Sequence, residues 1–568
     1  MELVLEDFVP YDESAAWQIH DAYYAERGIA AWTGGDIPFA ASSNSGIARQ
    51  HARLFVDLVR ELGETGALAA DDPVHVLEVG SGAGTFALNF VDALAHGCGP
   101  AGRAIAGRLR YVLSDYSPRN LEEATAHPGL ARLVAAGTVV PALFDLRKPE
   151  ALAIPGARSR KTRLAAVLAN YICCVSPQKV IRRAGGALLE KHVRLSVAVA
   201  DKAEGKSVAR ALTRIGRAAL PPPELLERIK ATYEWRPLDL ERAFASPIHR
   251  GVVLDFVASL GEATINYPWS FLDLVRGLRP RVLPGGLFLV ADFGNPGRSD
   301  AQGPTNDRVP VRYGLSLTHD VDFGVFDVFA AREGLGIVRT GNGLLDLQTV
   351  ALVNSPEVTA SFGASFERTH VRCENGQALL DLSAAAQALA DASRFHEAAR
   401  LYERCVRIAP RSPQVIHRFG QAFLATDVRT PETLERLARR LRLGRRLDLT
   451  GKHDFDTLLA SVYLRQGEAE RARRLLVRSL ARKESAAKHA TLALAHESLG
   501  DRERAYRSLI RALELEPEGE AADTTREKLV RQYLQGEAPP VRWSRRRGAA
   551  SRPSSGTSSS SKRRRART

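Results

Sequence analysis

The chain has 568 residues, 45% of them hydrophobic and 25% charged, and a formal net charge of +14. That length exceeds one ordinary core and implies several domains, and the composition excludes collagen-like, disulfide-dense and wholly disordered proteins. No apolar run approaches the roughly 18 residues of a membrane helix. The acidic start MELVLEDFVPYDESAAW lacks the basic-then-apolar pattern of a cleaved leader, so none is expected. The five cysteines, Cys98, Cys173, Cys174, Cys373 and Cys405, form no CxxC pair and no metal-spaced set. Adjacent Cys173 and Cys174 fall in an apolar run and are expected to be buried thiols; the whole pattern fits a reducing cytoplasm, with no metal site.

Residues 1–70 read as a helical and irregular segment containing the polar stretch WTGGDIPFAASSNSG. From 71 to 372 strand-like runs alternate with helical ones. VHVLEVG, LRYVLSDY, TVVPALFDL and LAAVLANYICCV are the first four strands, and their alternation with helices implies a parallel sheet. Residues 185–250 are basic and broken by PPPE at 221–224, and read as a helical insertion. The α/β pattern resumes with RGVVLDFVASLG, the helical PWSFLDLVRGLRPRV and the strand LPGGLFLVADFG. A last strand pair falls near 338–353.

After about 373 the texture becomes helical, rich in Ala, Leu and Arg. SRFHEAARLYERCVRIAP, GEAERARRLLVRSLARK and GDRERAYRSLIRALELEP superimpose, with Ala398, Ala472 and Ala505 at one position and Tyr402, Leu476 and Leu509 four residues later. The 33-residue interval from Ala472 to Ala505 is close to the tetratricopeptide period. A degenerate copy with Gly420 and Phe423 fits the longer gap after Ala398. Residues 373–536 are therefore expected to form an all-α, tetratricopeptide-like repeat domain offering a surface to a protein partner or substrate. Residues 537–568 read as a disordered basic tail. Positions 541–568 hold ten Lys or Arg and no acid, leaving +4 for the first 540 residues. Such a tail suits non-specific nucleic-acid contact, or is a solubilising extension.

The chemistry is concentrated at VHVLEVGSGAGTF, Val74 to Phe86. No Lys-Ser or Lys-Thr follows the glycines, which excludes a P-loop, and Thr85 stands where the NAD fingerprint needs glycine. The spacing is E-x-G-x-G-x-G. Glycines let a ligand approach the backbone and the helix N-terminus. Glu78 suits a cationic ligand end and repels a pyrophosphate. The next strand ends in Asp115, where an acid can accept from ribose hydroxyls. The third ends in Asp145 and Leu146, near an adenine edge. The fourth ends in Asn170 and Tyr171, where a methyl group would leave. Four such strand ends favour S-adenosylmethionine as the cofactor.

With these pieces in view the chain resembles a class I, Rossmann-like S-adenosylmethionine-dependent methyltransferase. More narrowly it resembles the MidA-like (complex I assembly arginine methyltransferase-like) family. GGDIPFAASSNSGIARQHARLFVDL, YVLSDYSPRNLEEA, VLANYICCVSPQKVIRR, GGLFLVADFG and LSLTHDVDFGVF match family segments in order, across roughly 20–350. The resemblance implies cofactor contacts from Glu78, Gly80, Ser81, Gly82, Gly84, Asp115, Tyr116, Ser117, Asp145, Leu146 and Asn170. It also implies closure of the site by Gly35 and Asp36. Asn170, Tyr171 and Asp36 are the candidate catalytic residues. The family carries Glu where this chain has Tyr171, so a carboxylate is lost where a guanidinium would bind. Asp36 and Asp292 are the replacements on offer. The expected activity is methyl transfer to a nitrogen, arginine or another amine, of a protein substrate. Two alternatives remain: a repeat scaffold with a cofactor-binding but catalytically weak domain, and a small-molecule methyltransferase.

Overall fold

The computed structural model describes residues 2–33, 37, 43–156, 162–212, 226–258, 260–297, 309–341, 347–372, 376–427, 430–449, 451–518, 522–527 and 529. The chain divides into two compact units, Met1–Gln466 and Gly467–Thr568.

The first unit opens with strand β1 (Glu2–Pro10) and helices α1 (Ala15–Arg27), α2 (Ala30–Thr33) and α3 (Ser45–Glu64). The Asn44 side chain starts α3 by accepting from the N–H groups of Gly46 at 2.8 Å and Ile47 at 3.1 Å. Ile47, His51, Phe55, Leu58 and Leu62 recur at helical spacing, and all are buried. There follow β2 (Val74–Glu78), α4 (Thr85–Gly97), β3 (Leu109–Asp115), β4 (Val139–Leu143) and β5 (Leu164–Asn170). Next come β6 (Lys179–Ala184), β7 (Ala187–Ala198), β8 (Ile229–Pro237) and β9 (Ala263–Tyr267). The last strands are β10 (Val282–Asn295), the short pair β11 (Val311–Tyr313) and β12 (Ser316–Thr318), β13 (Val321–Asp322), β14 (Gly336–Arg339) and β15 (Leu347–Val353).

The main sheet runs β14-β15-β10-β5-β2-β3-β4. β4, β3, β2, β5 and β10 are parallel, and β15 lies antiparallel between β10 and β14. The chain steps outward from β2 to β4, then returns to the opposite side of β2 as β5. That reversal opens a crevice at the carboxyl ends of β2 and β5, where ligands of open α/β sheets bind. The fold class is the expected one: α/β, a Rossmann-like class I methyltransferase sheet followed by a helical region.

The expected helical insertion at 185–250 is corrected. Its centre is a second sheet, β1-β7-β6-β9 with β8 also on β7, and every pairing is antiparallel. Gly185 and Gly186, at φ 55° and 82°, make the two-residue turn between β6 and β7. Val193, Leu195 and Val197 are buried at alternate positions, the period of a strand. Helices remain at Lys202–Leu212, Leu240–Ala243 and from Pro247 onward, while 221–224 lies outside the described residues. The N-terminal segment likewise begins as a strand, because β1 completes this sheet along β7.

Helices Gly376–Asp391, Phe395–Ile408, Pro413–Leu424, Pro431–Leu447 and Phe455–Arg465 also belong to the first unit. Leu447 and Leu449 share an apolar cluster with Leu58 and Phe90, and Arg411 pairs with Asp92 of α4. The division between units thus falls inside the segment 373–536. The second unit holds helices Ala469–Leu480, Ala486–Ser498 and Arg502–Leu515. Ala398, Ala472 and Ala505 are buried, as are Tyr402, Leu476 and Leu509. A Cβ added at Gly420 would meet Leu441 Cδ2 at 2.8 Å, so a larger residue there would displace the Leu441 side chain at that helix crossing. No helix among the described residues is long and apolar enough to cross a membrane. Cys373 and the tail from 530 lie outside the described residues.

Candidate functional site

At the crevice lies a cleft of about 1070 Å³ of empty space, its open mouth included. Small-molecule sites typically span roughly 300–1,000 Å³. Glu78, Gly80, Ser81 and Gly82 from the β2–α4 loop line it, with Asp115 and Tyr116 after β3. Asp145 and Leu146 after β4, and Asn170 and Tyr171 at the end of β5, complete the strand-end walls. Gly84 and Ser117 lie behind that surface. Gly84 precedes α4 and donates its N–H to Ser81 O at 2.9 Å, and the Ser117 hydroxyl caps helix Pro118–Ala126. Gly35 and Asp36 lie outside the described residues.

Two positions of the glycine loop, Gly80 and Gly82, exclude a side chain. Gly80 has φ +63°, and a Cβ there would meet Ile172 Cδ1 at 2.3 Å. Gly82 has φ +51°, and its Cβ would meet Trp32 Cζ2 at 2.8 Å. Asp115, 3% exposed, anchors the loop. Its carboxylate accepts from Gly82 N–H at 2.9 Å, Ser117 N–H at 2.9 Å and the Asn120 amide at 3.1 Å. A carboxylate has about four acceptor sites, so at most one is left for a ligand hydroxyl.

Glu78 is buried, and Tyr111 Oη donates to its Oε2 at 3.0 Å. Burial pushes this carboxyl up to about 8; Asp115 adds to the rise and the Tyr111 hydrogen bond opposes it. In the ligand-free chain the folded state therefore keeps a proton that the unfolded state has released. Glu78 costs stability as pH rises from 4.5 toward 8. A cation beside it reverses the balance by stabilising the carboxylate. Burial also raises Asp145, but hydrogen bonds and charge from Arg147 outweigh it and hold the carboxyl low. Arg147 reaches Asp145 at 2.9 Å and Asp21 at 2.6 Å, making one ion-paired rim.

Tyr171 has φ +59°, an uncommon conformation for a non-glycine residue. Its N–H donates to Ala291 O at 2.9 Å, and its ring meets Phe293 edge-on at 6.1 Å between centroids. Asp292 is not a replacement carboxylate for the cleft. It is 0% exposed and accepts from Cys174 N–H at 3.0 Å and Phe293 N–H at 2.9 Å. Burial pushes it up to about 6 despite those bonds, and it braces the turn after β5 instead of facing a ligand.

Residues outside the sequence-based set also line the cleft: His20, Asp21, Tyr24, Trp32, Thr85 and Arg147. Four of them come from α1 and α2, whose approach to the crevice is a tertiary fact. Thr85 follows the glycines directly and was the one the motif could have included. Four buried polar atoms on cleft-lining residues have no partner among the described residues: Ser81 Oγ, Thr85 Oγ1, Asn120 Oδ1 and Asn170 Nδ2. An isolated buried polar group is costly, so such a set marks a place for a polar ligand.

A tetratricopeptide repeat model matches residues 489–518. No curated protein sequence matches the chain. Solved structures similar to it include an uncharacterized COG1565 superfamily protein from Burkholderia thailandensis. That protein is 15% identical with a TM-score of 0.36, covering 63% of this chain and 90% of that one. Another, from the same organism, is described as a COG1565 superfamily member and "likely methyl transferase" bound to S-adenosyl-homocysteine. It is 13% identical with a TM-score of 0.37, covering 64% of this chain and 91% of that one.

Proposed function

We propose that the cleft holds S-adenosylmethionine and that the chain is a MidA-like methyltransferase acting on a nitrogen of a protein substrate. One observation carries this reading. A glycine loop flanked by acids, with no lysine, meets the unpartnered Ser81 Oγ, Thr85 Oγ1 and Asn170 Nδ2 at one sheet crevice. That polar set suits a ligand with ribose hydroxyls, a carboxylate and a cationic end, and the Glu78 carboxyl among it disfavours a pyrophosphate. The chemistry such a cofactor supplies when bound is a methyl group on a sulfonium, whose thioether leaves readily.

The chain's own residues do the rest. Ionised Glu78 balances the cationic end, and Asp115 offers its remaining acceptor site to a hydroxyl. Phe144, Leu146 and Ile172 supply apolar wall. Tyr24, Trp32 and Tyr171 line the same cleft and exclude water, which leaves an amine's lone pair unsolvated and positioned. The tetratricopeptide-like helices fit a protein client. The cytoplasmic setting and any nucleic-acid contact by the tail belong to the same proposal.

A second reading, a repeat scaffold with a weak catalytic domain, has one observation in its favour. The described cleft walls hold few groups able to take a proton from an acceptor. Asp21 and Asp145 pair with Arg147, Asp115 holds three donors, and His20 Nδ1 accepts from Leu317 N–H at 2.9 Å.

Calorimetry is expected to show binding of S-adenosylmethionine and S-adenosylhomocysteine by the full chain, and none by Gly80→Val. Absence of binding by the native chain would overturn the proposal. Incubation of lysate with methyl-labelled cofactor then separates the readings: label on a discrete protein supports the enzyme, and label in the low-mass fraction supports a small-molecule acceptor.

The Glu78 shift sets a pH dependence. Because a bound cation favours the carboxylate, binding releases a proton. Affinity for S-adenosylhomocysteine is expected to rise, by at most about tenfold per pH unit, up to about pH 8, and then to level. Glu78→Gln should flatten that profile. A native profile flat from about pH 6 to 8 would mean that Glu78 does not face the cation.

A further inference from the structure

Asn170 is the end of a buried line of hydrogen bonds that leads away from the cleft. Its amide oxygen lies 3.2 Å from His51 Nε2, on α3. His51 Nδ1 lies 3.2 Å from His370 Nε2, and His370 Nδ1 lies 2.8 Å from Thr369 Oγ1. Thr369 and His370 sit in the turn Glu367–Val371, which follows helix Ala360–Phe366. His51 is 1% exposed and His370 3%. Phe366 stacks on His370 at 4.9 Å, and Phe86 meets His51 edge-on at 5.5 Å. Burial lowers His51 to about 4 and His370 well below the usual histidine range, so both rings are neutral near pH 7.

A neutral imidazole has one N–H and one bare nitrogen, so each ring donates once and accepts once. The line therefore has a direction, and one end determines it. Thr369 Oγ1 lies 2.8 Å from the Ser365 carbonyl oxygen, which can only accept. Two oxygens at that distance need a proton between them, and the hydroxyl has one. Spent on Ser365, it obliges Thr369 to accept from His370 Nδ1–H. His370 Nε2 is then bare and accepts from His51 Nδ1–H. His51 Nε2 is bare in turn and requires a donor, which only the NH2 end of Asn170 supplies. The two ends of a carboxamide have the same shape, and the hydrogen bonds decide between them. The amide end turned away from His51 has no partner among the described residues, and Asn170 lines the cleft.

We propose that Thr369, acting through His370 and His51, holds the Asn170 amide with its NH2 on His51 and its oxygen free for a ligand, so that the cleft selects an N–H donor at this point. Thr369, His370 and His51 are positioning residues. The ligand they serve, the ammonium of an adenosyl cofactor or an acceptor amine, rests on the function proposed above.

The test is Thr369→Val in the full chain, with Thr369→Ser as the conservative variant. Selective 15N-histidine NMR reads the tautomers, with His51→Gln and His370→Gln used to assign them. Native and Thr369→Ser chains should show both rings protonated at Nδ1. In Thr369→Val, His370 loses its acceptor, and both rings should switch to Nε2–H, turning the amide. Calorimetry should show S-adenosylhomocysteine binding about tenfold weaker in Thr369→Val and near native in Thr369→Ser, the scale of one lost hydrogen bond to a charged group. Rings protonated at Nε2 in the native chain would overturn the proposal, and so would unchanged tautomers in Thr369→Val. The tautomer readout needs no cofactor. If the native chain fails to bind S-adenosylhomocysteine, the functional reading falls while the relay is still decided by NMR.

Discussion

Asp115→Ala is expected to weaken S-adenosylhomocysteine binding by at least about 100-fold and to destabilise the first unit by about 2–4 kcal/mol. The carboxylate holds Gly82 N–H, Ser117 N–H and the Asn120 amide together, one donor from the β2–α4 loop, one from the turn after β3 and one from the helix Pro118–Ala126. Alanine removes the charge and the common acceptor, and leaves those donors buried without a partner. The glycine loop then loses its tether at Gly82, where its backbone has to stay close to a ligand. Asp115→Asn does not repair the site, because one end of its amide presents N–H to another N–H. Asn120→Ala removes only one donor and should bind within about fivefold of native, since one neutral hydrogen bond contributes about 1 kcal/mol. Calorimetric titration with thermal unfolding checks all three variants. Near-native binding by Asp115→Ala would remove Asp115 from the cofactor site.

The second large effect is on stability. Lys179 of β6 is 3% exposed; its ammonium lies 2.9 Å from Asp12, just after β1, and 3.4 Å from Glu190 of β7. Burial disfavours this ammonium, but Asp12 and Glu190 outweigh it and hold the lysine charged. Lys179→Met leaves the Asp12 carboxylate buried without its cation, at a cost of about 3–5 kcal/mol. Adding Asp12→Asn should recover most of the loss, because the second change removes the stranded charge. Differential scanning calorimetry on the three chains measures this, and near-native unfolding of Lys179→Met would show that water reaches Asp12. The penalty should shrink in acid, where the unpaired carboxyl takes up a proton.

Much of the sheet was legible in the sequence because parallel strands covered on both faces are short apolar runs, and β2, β3, β5 and the middle of β10 have that form. The glycine motif was legible for a steric reason: Gly80 and Gly82 occupy left-handed backbone against Ile172 and Trp32. The insertion's strands were not legible, because basic residues mask the period of two in Val193, Leu195 and Val197 and the only turn signal between β6 and β7 is the Gly185–Gly186 pair. The cleft's outer wall was not legible. His20, Asp21, Tyr24 and Trp32 carry no motif, and their place depends on where α1 and α2 lie against the sheet.

By itself the sequence determined the quantities that local chemistry controls. These are the strand and helix periods, the glycine loop, the acids at the strand ends and the small residues at the helix crossings. Each is expressed within a few residues, since side-chain alternation and backbone φ are local. Only the tertiary structure decided what lies between distant segments. It joined β1 to β7, spent Asp292 on the turn after β5, and lined up Asn170, His51, His370 and Thr369 across 319 residues of sequence between the two histidines. Hydrogen bonds and buried charges depend on which groups meet after water is excluded, and no spacing along the chain encodes that meeting.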